Sequence, residues 1–326
     1  MSCTNKRHIL EIDELSVSFL QYEREKSTRQ VELPVISKLS VSVHEGEIVA
    51  VVGSSGSGKS LLAHAILDLL PYNAKTSGAM YFDGELLTRE RIHSLRGNKI
   101  AFVPQSTTYL DPLQPVGAQV RQSRKDQASR QRQRELFGRY KLGQGVDKKY
   151  PFECSGGMTR RVLLSCALMG DPELIIADEP TPGMDLALAK QSMEDFRAFA
   201  DEGKGVLLIT HDIELALEVA DRIAVFYAGT TVEEAPVADF ASQESLRHPY
   251  TKALWRALPQ NGFTPLPGVQ PYVKDMPKGC PFGPRCGQYS EKCQGEIPMQ
   301  RVGCGTVRCT LYQGEDLAVH HHHGTP

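Results

Sequence analysis

The chain has 326 residues, with 37 Lys and Arg against 39 Asp and Glu for a formal charge of −2, and is 40% hydrophobic and 23% charged. This balance excludes a disordered tail protein, a collagen-like repeat and a strongly basic nucleic-acid binder, and the length suits one large domain with a smaller appendage. No run of 18 or more apolar residues offers a bilayer span, and Met1 to Glu14 lacks an apolar signal core, so the chain is expected not to be exported by itself and to meet a membrane only through partners.

In chain order, Leu10, Ile12, Leu15, Val17 and Phe19 alternate like a strand, the charged segment from Gln21 to Gln30 reads as a solvated hairpin tip, and Leu39, Val41 and Val43 alternate again. Glu45-Gly46 turns the chain into the wholly apolar run from Ile48 to Val52, the pattern of a strand buried on both faces. A glycine-rich loop leads into a helix expected over Ser60 to Leu70. Ala79 to Phe82 ends at the turn Asp83-Gly84, and Ile100 to Val103 is a short strand. From Leu113 to Gly143 polar, helix-tolerant residues take over, among them Arg121, Arg124, Lys125, Arg130, Arg132 and Arg134. A second buried strand (Leu174 to Ala177), a helix near Leu186 to Ala200 and a third buried strand (Val206 to Thr210) follow. Strands alternating with helices predict an α/β layered sheet with right-handed crossovers. The tail from Pro259 is rich in Pro, Gly and Cys, and needs something other than a large apolar core to hold it.

Gly53-Ser54-Ser55-Gly56-Ser57-Gly58-Lys59-Ser60 fits G-x-x-x-x-G-K-[ST] between a buried strand and a helix. Such glycines let successive N–H groups face phosphate oxygens, and the helix start adds its positive end. Lys59 is expected to reach the β- and γ-phosphates and the Ser60 hydroxyl to ligate Mg²⁺. The plain alternative, a glycine-rich turn, does not require the Lys-Ser pair. Asp178-Glu179 ends the second buried strand, where two carboxylates are costly unless they meet a cation or water. Beside a phosphate loop, Asp178 is expected to support Mg²⁺ and Glu179 to take a proton from an attacking water. His211, at the C-terminal end of the third buried strand, could hold the γ-phosphate or the water. A helix-start histidine next to Asp212 is the commoner meaning of such a residue. Gln105, after Pro104, can touch Mg²⁺ or the water, or be a loop glutamine.

These residues, with Cys154-Ser155-Gly156-Gly157-Met158 and Asp185, stand in the order of an ABC transporter nucleotide-binding subunit, and the chain resembles that family. The resemblance implies a P-loop NTPase ABC cassette of α/β class over 1–258, with an antiparallel β subdomain, a helical subdomain at about 106–165, and ATP and Mg²⁺ as ligands. It implies that Ser155-Gly156-Gly157 is a signature loop reaching the ATP bound by a partner subunit, so that one chain alone is a poor ATPase. Phe19 resembles the aromatic residue that stacks on adenine, with Tyr22 as a substitute and a core strand position as the equal alternative. Asp185 resembles the aspartate that couples the two sites. The segment from Leu113 to Gly143 resembles the part that receives a permease, although a run of arginines more often marks a solvated helix face.

His248 to Leu254, Pro265-Leu266-Pro267-Gly268 and Gly279 to Cys286 look like the oligopeptide/dipeptide/nickel importer branch. That likeness implies a peripheral subunit on the cytoplasmic face of the membrane, importing peptides or nickel, free or chelated. The short helical segment leans slightly toward nickel. Implied partners are a second ATPase subunit, two transmembrane permeases and an extracellular solute-binding protein, with no nucleic acid. A soluble non-transport ABC ATPase is the competing reading, against which stand the single cassette and the lack of a long coiled-coil insertion. A module that binds ATP without hydrolysis is disfavoured by Asp178, Glu179 and His211 together. Cys154, Met158 and Pro182-Gly183-Met184 depart from the family's usual residues, whereas the chain's own hydrolytic residues do not. This predicts a heterodimer in which the site built on Lys59 and Glu179 is the more competent.

Five of the eight cysteines crowd a C-terminal extension expected over 259–319. Cys280, Cys286 and Cys293 are spaced by five and six residues, unlike the C-x₂₋₄-C pairs of most zinc modules. Thiolates on an apolar-poor tail suit a cluster that replaces a core. The resembling branch carries a four-iron four-sulfur cluster here, which implies Cys280, Cys286, Cys293 and Cys309 as ligands, Cys309 fitting better than Cys304. Zinc and reduced, unliganded thiols are the alternatives. His320 to His323, within 320–326, are set aside as a possible tag remnant.

Overall fold

The structure, a computed structural model, describes residues 6–23 and 26–312. Residues 24–25 of the expected hairpin tip, the end of the expected extension at 313–319 and the histidines His320 to His323 lie outside the described residues. The elements run β1 (His8–Glu23), β2 (Lys26–His44), β3 (Glu47–Gly53), α1 (Lys59–Ile66), β4 (Ala74–Phe82), β5 (Glu85–Leu86), α2 (Arg89–Leu95), β6 (Ile100–Val103), α3 (Val116–Val120) and α4 (Gln127–Arg139). They continue with α5 (Gly156–Ala167), β7 (Leu174–Asp178), α6 (Leu186–Asp201), β8 (Gly205–Ile209), α7 (Ile213–Val219), β9 (Arg222–Tyr227), β10 (Thr230–Pro236), α8 (Pro249–Arg256), β11 (Gln300–Val302) and β12 (Gly305–Val307). Among the described residues no helix is long and apolar enough to cross a membrane.

Two sheets form, ordered β2-β1-β4-β5 and β11-β12-β10-β9-β3-β8-β7-β6. The first is antiparallel, and in the second β9, β3, β8, β7 and β6 run parallel. The apolar runs are explained by what covers them. On β3, Ile48, Ala50 and Val52 enter one core with Phe196 of α6 and Val162 of α5, while Val49 and Val51 enter a second core with Leu62 of α1 and the antiparallel sheet. A strand covered on both faces has no polar side to show, so its sequence does not alternate. The parallel strands therefore end together at one edge, where the loops after β3, β7 and β8 meet.

Two expectations change and two gain detail. α1 stops at Ile66 rather than Leu70, because Asp68 takes a left-handed φ of 50° and cannot continue a helix. The tip expected over Gln21 to Gln30 is mostly paired strand, with Gln21 opposite Val31 and Tyr22 opposite Gln30, so its polarity reflects a ribbon edge rather than a loop. The segment from Leu113 to Gly143 holds two helices, separated by left-handed Gln122 and Ser123, and Asp126 caps the second by accepting from Ser129 N at 2.8 Å. The cysteine tail is stitched into the main sheet, since β12 pairs with β10 through Glu233 opposite Val307.

His248 caps α8, where its Nδ1 accepts from Tyr250 N at 3.0 Å, and it is 1% exposed. Burial pushes its pKa from 6.5 down to about 3. The native ring thus stays neutral while the unfolded ring takes a proton below 6.5, so the stability present above pH 6.5 drains as pH falls. His248→Asn, which keeps a cap acceptor, should flatten the pH dependence of urea unfolding below pH 6.5. An unchanged slope would show that His248 does not carry it.

Candidate nucleotide site

Gly53 closes β3 with a φ of 155°, and a Cβ there would stand 2.2 Å from Phe226 O, so no side chain fits. The loop that follows is held internally by Ser57 N donating to Ser54 O at 3.2 Å, and against the turn after β9 by Gly229 N donating to Ser57 O at 3.1 Å. Lys59, buried at the start of α1, donates from Nζ to Gly53 O at 2.8 Å and Ser54 O at 3.0 Å, bracing the loop. Burial lowers its pKa, while Glu179 and Asp178 pull it back up.

One residue on, the Ser60 hydroxyl donates to Asp178 Oδ1 at 3.2 Å, joining the phosphate loop to the end of β7. Asp178 is 2% exposed, and burial raises its pKa from 3.8 to about 6 against the pull of Ser60, Lys59 and Arg160. Glu179 then takes a left-handed φ of 48°, pinned by its N–H on Ile209 O and by Arg160 Nη1 on its carbonyl, both at 2.8 Å. Its Oε2 lies 2.8 Å from His211 Nδ1, so the end of β7 meets the start of the loop after β8.

A single cleft gathers Ser55, Gly56, Gly58, Lys59, Ser60, Gln105, Glu179 and His211, with Asp178 at its floor through Ser60. It also includes Val35 of β2, which no motif marks, and Arg160 props Glu179 by donating to its carbonyl. Other expected residues lie elsewhere. Phe19 sits half-buried in β1 against the second core, opposite Leu33 and Ala74, and does not line the cleft. Tyr22 is exposed and accepts from Gln30 Nε2 at 3.0 Å. Ser155 caps α5 by accepting from Met158 N at 3.3 Å, and Asp185 caps α6 by accepting from Leu188 N at 3.0 Å. Ser155, Gly156 and Asp185 are exposed and, like Gly157, outside the chain's own cleft.

In the tail, Cys280, Cys286, Cys293 and Cys309 all line one small pocket, with His248, Gly283 and Ile297. Gly279 lets the backbone close this loop, since a Cβ would stand 2.0 Å from Cys293 O, and Cys280 N donates to that carbonyl at 2.9 Å. Burial pushes the Cys280 thiol up to about 11, with the neighbouring thiols adding to the rise. At Cys293 burial also raises the pKa, but hydrogen bonds from Thr310, at 3.2 Å, and Ser290 outweigh it. Among the described residues no three His, Cys, Asp or Glu side chains converge on a single metal ion.

Residues 36–182 match the ABC transporter family, and residues 232–293 match the oligopeptide/dipeptide transporter C-terminal region. The chain is 31% identical to the oligopeptide transport ATP-binding protein AppD of Bacillus subtilis, covering 94% of this chain and 98% of that one. It is 34% identical to the dipeptide transport ATP-binding protein DppD of Escherichia coli, covering 89% and 92%. Among solved structures, the dimeric ATP-binding cassette MJ0796 in a post-hydrolysis state with ADP and Pi is similar, at a TM-score of 0.61 and 26% identity over 70% of this chain and 98% of that one. The chain is therefore an ABC-type ATPase. More narrowly, it belongs to the ATP-binding subunits of the oligopeptide/dipeptide ABC transporter family.

Because the native pKa of Asp178 lies above its ordinary 3.8, its charge destabilises the nucleotide-free fold above about pH 6. Asp178→Asn should therefore raise the unfolding free energy at neutral pH by roughly 1–2 kcal/mol in denaturant titrations, while weakening Mg²⁺-dependent ATP binding. A loss of stability on substitution would contradict this account.

Proposed function

We propose that the chain is the ATP-hydrolysing subunit of a membrane importer for peptides, peripheral on the cytoplasmic face and acting with two permeases and a solute-binding protein. The observation that carries the reading is the convergence of the Ser60–Asp178 contact and the Glu179–His211 contact in one cleft, while the exposed Ser155 loop lies outside its lining. The relatives' names speak of oligopeptides and dipeptides, which favours peptide over nickel. The lean toward nickel had no residue behind it.

Mg-ATP is the substrate, and its bound cation neutralises phosphate charge. Ser60 and Asp178 fit that ion by chemistry, a hydroxyl and a buried carboxylate that lacks a full counter-charge, with Gln105 at the rim. Lys59 leaves the loop carbonyls for the β- and γ-phosphate oxygens. Glu179, oriented by His211 at Oε2 and fixed through its backbone by Arg160, accepts the proton of the attacking water. Gly53, Ser54, Ser55, Gly56, Ser57 and Gly58 supply the backbone cradle. Ser155, Gly156, Gly157 and Asp185 serve the second site, across an interface with a different ATPase subunit. Phe19 is the adenine platform only if the base extends beyond Val35 toward β1. The cassette spans 1–258, with its helical part at about 106–165.

The pocket of Cys280, Cys286, Cys293 and Cys309 suits a four-iron four-sulfur cluster better than zinc. A cluster of four irons takes one thiolate per iron, and four thiols line this one pocket. Such a cluster would cross-link a tail that has little core of its own. Protein purified without oxygen should contain iron and acid-labile sulfide in equal amounts, lost together in Cys280→Ser. Zinc without sulfide, or no metal, would reject the cluster.

In the complex reconstituted with its permeases, a peptide-loaded binding protein should stimulate ATP hydrolysis and nickel should not. Glu179→Gln should lower kcat by about 10²–10³-fold with Mg-ATP affinity little changed. Wild-type turnover in that variant, or stimulation by nickel alone, would overturn the assignment.

A further inference from the structure

The tail makes a contact with the phosphate loop that neither the motif nor the family match assigns. Gln270 follows the Pro265-Leu266-Pro267-Gly268 turn and is held half-buried over the loop. Its Oε1 accepts from Ser54 Oγ at 2.5 Å and from Ala228 N at 3.2 Å, and its Nε2 donates to Gly56 O at 3.4 Å. Tyr250 of α8 also hydrogen-bonds Ser54. One amide therefore spans two loop residues and the turn after β9.

The segment that carries Gln270 is itself anchored. Arg285 donates to Pro267 O and Gly268 O, each at 3.0 Å, and to Leu266 O at 3.3 Å, while its remaining N–H reaches Tyr227 OH at 3.2 Å. Three donations from one guanidinium fix the turn as a unit and a fourth ties it to β9, and Arg285 directly precedes Cys286 of the thiol pocket.

We propose that Gln270 is a positioning residue of the nucleotide site, supplied by the C-terminal segment and held in place by Arg285. A phosphate loop binds through backbone N–H groups that must already point inward, and every restraint on that backbone lowers the ordering cost of binding. Gln270 meets Ser54 through its hydroxyl and Gly56 through its carbonyl, and so ties both loop residues to the turn after β9, which its oxygen also reaches at Ala228 N. The proposal rests on the nucleotide reading of the cleft. It makes the tail part of the ATPase machinery rather than an ornament on it, and links the thiol pocket at Cys286 to the phosphate loop through the hydrogen bonds of Arg285 and Gln270.

The test uses the full chain for Mg-ATP calorimetry and the assembled transporter for kinetics. Gln270→Ala should weaken Mg-ATP binding about tenfold and raise the KM for ATP by a similar factor, with kcat within about twofold. Gln270→Glu keeps the acceptor but loses the donor to Gly56, and should recover part of the loss. Ser54→Ala should weaken binding by itself and add little to Gln270→Ala, as expected of two residues sharing one contact. Unchanged affinity in Gln270→Ala, a fall in kcat at constant KM, or full additivity with Ser54→Ala would overturn the proposal. If Gln270→Ala does not fold, Gln270→Glu against Ser54→Ala decides by the same criterion. A Lys59→Ala chain that binds Mg-ATP like wild type would instead overturn the nucleotide reading, which separates the two failures.

Discussion

The structure is organised around one unfavourable charge. Asp178 ends a strand buried on both faces, and nothing nearby fully neutralises it. Lys59 turns its ammonium to the carbonyls of Gly53 and Ser54, and Ser60 offers only a neutral hydroxyl. A carboxylate left so short of counter-charge drifts toward protonation. A site of this kind is costly to the empty fold and becomes favourable when a cation arrives, which is how stability is exchanged for affinity at a binding site.

The rest of the cleft follows from keeping that charge in place. Glu179 is buried as well, and its left-handed backbone turns it out of the strand line toward His211 and away from the Ser60 contact of Asp178. The strain of a non-glycine residue at φ 48° is held by Arg160 on its carbonyl and Ile209 on its N–H. The two carboxylates are adjacent in sequence yet serve different neighbours, one Ser60 and the other His211. Their separation depends on backbone geometry rather than distance along the chain. Arg160 lies within α5, the helix that Ser155 caps, so that helix also props the carboxylate proposed as the base of its own chain's site.

What the sequence shows and hides follows the same physics. β3, β7 and β8 are legible because two covered faces leave no polar residue, and the phosphate loop is legible because few backbones need that glycine spacing. β10 was not seen. It buries Thr230, Thr231, Glu233 and Glu234, which no hydrophobic pattern marks as core. Glu233 is satisfied by Arg247 N at 2.9 Å and His248 N at 2.7 Å, and Glu234 by Arg222, so a polar strand is hidden by partners distant in sequence. Arg222 also meets Glu47 at 3.0 Å, where burial would raise the carboxyl but His44 and Arg222 hold it at about 2. Val35, Arg160 and Gln270 escaped for a related reason: each matters through what lies across a fold boundary, and none belongs to a motif.

The tail completes this logic. With little periodic apolar pattern, it is held by three other means: a two-residue strand pairing to β10, one arginine spread over a turn, and an aromatic cluster of Tyr227, Tyr250 and Phe282. The arginine and the aromatic cluster meet at Tyr227 and Tyr250, next to the turn after β9 and on α8, the elements that also touch the phosphate loop. Tyr227 stands at the end of β9, one residue from Ala228, whose N–H meets Gln270. The thiol pocket includes His248 and lies next to Phe282, so its lining is continuous with that cluster. A tail attached at random would need no glycine as tight as Gly279 and no buried histidine cap. One that must hold a loop to a fraction of an ångström needs both, because the loop's N–H groups act on phosphate only from fixed positions.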